Sequence, residues 1–114
     1  MKKTLLALLG LTLCITTANA GYNERGLKTY KKLCKECHGS EFRGAAMLKG
    51  EEWKAMFANG EAKLLAAHKG NAEAMEAFNR SYYRNRKEYL FDFLSKNAKD
   101  SGVVPGCDAN YCGN

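Results

Sequence analysis

Cys34 and Cys37 stand three apart, and His38 follows the second cysteine directly. Two thiols on one helical turn can reach two neighbouring vinyl groups on one edge of a porphyrin. The imidazole that follows is then carried beneath the ring, with a nitrogen facing the iron. The spacing Cys-x-x-Cys-His is therefore read as a site of covalent c-type haem attachment. Three other uses compete for these residues: a thioredoxin-like redox pair, half of a zinc site completed by Cys107 and Cys112, and a plain disulfide. The redox pair needs a fold of alternating strands and helices, and strand patterns are almost absent from this chain. The zinc site leaves the second histidine unused. One covalent haem c on Cys34 and Cys37, with His38 as a metal ligand, is the expectation.

The second axial position decides much of the chemistry, because ligand identity is a main lever on reduction potential. His68 is the only other histidine, 30 residues beyond His38, on a stripe with Leu64 and Leu65. It is the expected distal ligand, and Met75, 37 residues beyond His38, is the alternative. Met56 beside Trp53 and Phe57 reads as core. Met47 sits in a loop that should still lie on the proximal side. Cys107 and Cys112 read as a disulfide pinning the C-terminal tail. Tyr82, Tyr83, Arg84, Arg86 and Lys87 form a basic aromatic patch, either a solvated connector or a holder for a haem propionate or an acidic partner. Trp53 reads either as core or as a donor to a propionate. No Ser/His/Asp set, phosphate-cradling glycine loop or paired-carboxylate site stands out.

The haem reading requires a particular compartment, and the N-terminus supplies it. Lys2 and Lys3 precede a short apolar run from Leu5 to Ile15, and Ala18-Asn19-Ala20 follows. This is the pattern of a secretory signal over residues 1–20, cleaved before Gly21, and it implies periplasmic localisation. Residues 21–114 then form a single domain with no transmembrane segment. Export also gives the four remaining cysteines an oxidising setting, where idle thiols are unusual. Without Lys2 and Lys3 the 18 basic residues fall to 16, against 12 acidic ones. That moderate surplus could steer docking to an acidic redox partner or belong to an ordinary solvated surface, and no basic patch is dense enough to suggest nucleic acid.

The elements that must position these side chains are helical, since apolar residues recur at helical spacing. Glu24 to Leu33 is expected as a first helix, running into the cysteine pair. Residues 39–50, with three glycines, are expected as a loop. Glu51 to Ala58 and Glu61 to Lys69 are expected as short helices separated by Asn59-Gly60. Ala72 to Phe78 continues as a helix, residues 79–86 read as a polar connector, and Lys87 to Ala98 is a final helix with Leu90, Phe93 and Leu94 as its apolar seam. About five helices result, around a core too small to close well without a large flat cofactor.

Gly26, Tyr30, Cys34, Cys37 and His38 together follow Gly-x3-aromatic-x3-Cys-x2-Cys-His. In this the chain resembles the class I c-type cytochromes, and more loosely the small bacterial monohaem members of that family. The resemblance implies an all-α domain with orthogonal helices wrapped around one covalent haem. It also implies that Gly26 and Tyr30 on the first helix meet Leu90, Phe93 and Leu94 on the last. Two departures are evident: no proline follows the haem motif to orient His38 through its carbonyl, and there is no Met-Pro pair. The implied function is a periplasmic electron carrier, not an enzyme, serving redox partners of a respiratory chain. A haem peroxidase or small-ligand-binding haem protein is the alternative, and a haem-free module stapled by disulfides is a third.

Overall fold

A computed structural model describes residues 23–103. The signal segment 1–20 and the cysteine pair Cys107 and Cys112 lie outside the described residues. Within them the chain is all-helical, in six helices: α1 (Glu24–Leu33), α2 (Lys35–His38), α3 (Glu41–Ala45), α4 (Gly50–His68), α5 (Ala72–Asn79) and α6 (Ser81–Lys96). None of these is long and apolar enough to cross a membrane.

The core is built on the packing of α1 against α6. Asn23 caps α1 by accepting a bond from the Gly26 amide at 3.0 Å, and its own amide donates to Asp92 on α6 at 2.7 Å. Gly26 is the contact point between the helices. A Cβ there would lie 2.1 Å from the Tyr89 carbonyl oxygen and 2.5 Å from the Phe93 Cβ. Tyr30, Leu90, Phe93 and Leu94 are all buried in the cluster that follows, with Tyr30 and Phe93 ring centres 6.2 Å apart. The first and last helices therefore meet through the residues expected from the sequence.

The expected loop over residues 39–50 instead contains α3. Its glycine is a packing residue: a Cβ on Gly44 would strike the buried Tyr30 ring, 1.8 Å from the hydroxyl oxygen. Tyr30 also donates its hydroxyl hydrogen to the Gly39 carbonyl at 2.9 Å, where the chain turns with φ +81°. Such a conformation suits a glycine. The connector expected over residues 79–86 is likewise corrected, since α6 begins at Ser81. Tyr83 is buried seven residues before Leu90, so it extends the same face of one helix by two turns. Tyr82 projects elsewhere, with Lys32 Nζ 4.2 Å and Arg86 4.1 Å from its ring centre. The cations that read as a solvated stretch are amphipathic helix.

The expected break between two short helices is present inside α4. Ala58 leaves helical geometry, and Asn59, Gly60 and Glu61 follow with φ of 54°, 63° and 59°. Asn and Gly tolerate this left-handed region, while a glutamate rarely enters it. Beyond the turn, the second half of α4 carries Leu64 and His68, and the His68 ring lies against that of His38 at the end of α2.

Candidate functional site

Cys34 sits at the junction of α1 and α2, where its amide closes α1 onto the Tyr30 carbonyl at 2.8 Å. The next turn is short: the amides of Cys37 and His38 both return to the Cys34 carbonyl, at 3.2 and 2.9 Å. This turn places both thiols and the imidazole around one patch. The thiols are not bridged to each other. Burial pushes the Cys34 thiol up to about 12, and the neighbouring Cys37 adds to the effect.

The structure brings His68 to His38. Their ring centres are 5.8 Å apart, with the ring planes at 80°. That span is close to what two metal–imidazole bonds of about 2 Å each, plus the half-widths of the rings, would occupy. His68 is oriented by its own helix: Nδ1 lies 2.7 Å from the Leu64 carbonyl oxygen. A carbonyl only accepts, so Nδ1 carries the hydrogen and Nε2 keeps a free lone pair. This is the usual outer arrangement of a metal-binding histidine. Partial burial, reinforced by His68, holds the His38 pKa below its ordinary value, which favours the neutral ring that binds metals.

Two cavities share the two imidazoles as walls. The larger, about 450 Å³, is lined by Cys34, Cys37, His38 and His68 and by more polar groups such as Lys32 and Arg80. The smaller, about 290 Å³, is lined by Cys34, His38 and His68 with an apolar set that includes Trp53, Met56, Leu64 and Leu94. Cys34, Ala67, Phe78 and Leu90 also border both. His38 and His68 therefore border two separate cavities. Among the described residues no three or more His, Cys, Asp or Glu side chains gather to hold a bare metal ion.

The remaining candidates separate. Met75 is half-buried on α5 and lines neither cavity, while Met47 and Met56 line the smaller one. Met47 is 44 % exposed. Trp53 is buried, and its indole N–H donates to the Ala45 carbonyl at 2.8 Å, so that donor is spent inside the core. The basic aromatic patch is also engaged by the protein itself. Lys87 pairs with Glu61 at 3.1 Å, Arg84 donates to the Asn79 carbonyl, and Arg86 covers the Tyr82 ring. Phe78 and Tyr83, which the sequence did not single out as cavity residues, line the larger cavity. Phe78 meets the His68 ring edge-on at 5.2 Å. Phe78 and Tyr83 stand five residues apart on two different helices, α5 and α6, so no single helical periodicity links them in the sequence. No family model, curated protein or solved structure matches the chain.

Proposed function

We propose that this chain is an exported, periplasmic class I c-type cytochrome that carries one covalent haem c and transfers single electrons between redox partners of a respiratory chain. The observation that carries the reading is the placement of the His68 ring 5.8 Å from that of His38, near Cys34 and Cys37, with both imidazoles lining two cavities. Cys34 and Cys37 would each add an S–H across one vinyl double bond, forming one C–S and one C–H bond and releasing nothing. His38 and His68 would hold the iron through their ring nitrogens. When bound, the group provides a one-electron Fe(III)/Fe(II) couple.

The chain's residues do the rest. Leu64 fixes the tautomer of His68 through its carbonyl. Trp53, Met56, Leu64 and Leu94 give the smaller cavity a dry wall. That wall lowers the local dielectric and disfavours net charge at the centre. Were both imidazoles bound, they would leave the iron little room for peroxide or a diatomic gas, which supports electron transfer over the enzymatic alternative. The net positive charge would speed encounter with acidic partners.

The test is expression with its leader in a host competent for cytochrome maturation. The mature polypeptide is expected to gain the mass of one haem and to keep a haem stain through denaturing electrophoresis. Cys34→Ser with Cys37→Ser should lose both signals. A polypeptide of bare peptide mass would refute the proposal. Replacing His68 by Met should introduce a sulfur-to-iron charge-transfer band into a ferric spectrum that lacks one in the wild type, and a wild-type spectrum already showing that band would refute the His68 assignment.

A further inference from the structure

Glu61 is a buried acid that takes no part in holding the proposed haem. Its side chain is 11 % exposed, and it stands at the left-handed break of α4. Both of its partners are on α6. Tyr83 donates its hydroxyl hydrogen to Glu61 Oε1 at 3.1 Å, and Lys87 Nζ pairs with the same oxygen at 3.1 Å. Burial and the adjacent Glu61 both push the Tyr83 pKa upward, so the phenol stays a donor. A glutamate in the left-handed region persists only where surrounding contacts hold it, and these two contacts are the ones present.

From this anchor two physical paths reach His68. One runs along the second half of α4. Leu64, one turn after Glu61, is buried, and its carbonyl accepts from His68 Nδ1. The other runs through rings: Tyr83 meets Phe78 edge-on at 4.9 Å, and Phe78 meets His68 at 5.2 Å. Both paths start at one carboxylate, and both end on the imidazole that faces His38.

We propose that Glu61, Tyr83 and Lys87 form a positioning tie. It locks the second half of α4 to α6 and so keeps His68 seated opposite His38; loosening it opens the sixth position of the metal. The inference rests on the two-imidazole reading given above. Glu61 lines neither cavity and acts only through His68, whereas Tyr83 also lines the larger cavity, so Glu61→Gln is the cleaner probe.

Carbon monoxide binding to the reduced holoprotein tests the tie, because apparent affinity scales with the fraction of molecules whose sixth position is open. Tyr83→Phe removes only the hydroxyl, and Glu61→Gln keeps the shape but loses the charge. Each is expected to tighten carbon monoxide binding on the order of tenfold, the size of one lost charge-assisted hydrogen bond. The ferric spectra should gain a high-spin fraction. His68→Ala supplies the fully open reference. Asp92→Ala weakens the fold at the Asn23 contact, away from both cavities, and should leave carbon monoxide binding unchanged. If Tyr83→Phe and Glu61→Gln bind carbon monoxide no more tightly than wild type while His68→Ala does, the tie is refuted and the ligand reading stands. If Asp92→Ala tightens binding as much as they do, general loosening explains the effect and the tie is again refuted. If His68→Ala changes nothing, the ligand reading fails and the tie falls with it.

Discussion

Replacing Gly26 by alanine adds one methyl group, and the structure sets its consequence. On helix propensity alone the change should help, by at most about 1 kcal/mol. The added carbon would stand 2.1 Å from the Tyr89 carbonyl oxygen and 2.5 Å from the Phe93 Cβ. Ordinary contact lies at about 3.5–4.0 Å, so relief requires more than about 1 Å of movement. Neither obstacle is the end of a flexible side chain. One is backbone and the other is bonded to backbone, so the helices themselves must part. Parting α1 from α6 strains the Asn23–Asp92 and Arg25–Tyr89 hydrogen bonds, at 2.7 and 2.9 Å, and opens the packing of Tyr30 on Phe93. The upper part of the overpacking range, about 3 kcal/mol, is the expected net loss. For a domain of this size that lowers Tm by roughly 12–24 °C. Urea unfolding of the purified protein, followed by far-ultraviolet circular dichroism, measures the loss as a lower midpoint at unchanged slope. Gly70 is the control: a Cβ there meets nothing within 4 Å. Gly70→Ala should be neutral or stabilise by up to about 1 kcal/mol. A Gly26→Ala protein as stable as wild type would show that α1 and α6 do not meet at this point.

Other expectations follow from single contacts. Trp53→Phe leaves the buried Ala45 carbonyl without its 2.8 Å donor and should cost about 1–3 kcal/mol in the same unfolding assay. Burial works to raise the Asp92 pKa, but hydrogen bonds from Asn23 and Lys96 outweigh it and hold the carboxyl below its usual range. A carboxyl depressed in the folded state stabilises fully above its unfolded value, about 3.9, and loses that contribution as pH falls through the folded value. The stability gap between wild type and Asp92→Ala should accordingly narrow below about pH 4, as measured by urea midpoints at successive pH values. Gly44→Ala should destabilise, because the Tyr30 hydroxyl end that it would strike is itself buried and bonded to Gly39; the loss is expected in the overpacking range of about 1–3 kcal/mol, read from thermal melts.

The elements were legible where local chemistry alone decides them. Asn23 and Asn71 cap α1 and α5 with their own side chains, and Asn59-Gly60 breaks α4 at the expected place, because short polar residues and glycine supply those geometries without help from the rest of the fold. The errors fall where packing overrode composition. Gly44 read as loop because glycine is a weak helix former, yet it is glycine to admit the Tyr30 ring. Tyr82 through Arg86 read as a connector because the stretch is polar, yet Tyr83 belongs to the same face as Leu90. Glu61 carried no signal at all. An acid after Asn-Gly is an ordinary surface residue until two side chains from another helix bury it.

Cys34, Cys37 and His38 are a local fact: consecutive positions on one turn must share a patch whatever the rest of the chain does, so their candidacy was complete in the primary structure. His68 and Met75 were different, since both lay far along the chain on amphipathic helices and spacing alone could not choose between them. The tertiary structure separates them in space. Beyond the left-handed break at residues 59–61, the end of α4 holds the His68 ring 5.8 Å from that of His38, while Met75 lines neither cavity. The direction of a chain after a break depends on what it packs against, and no window of sequence contains that partner.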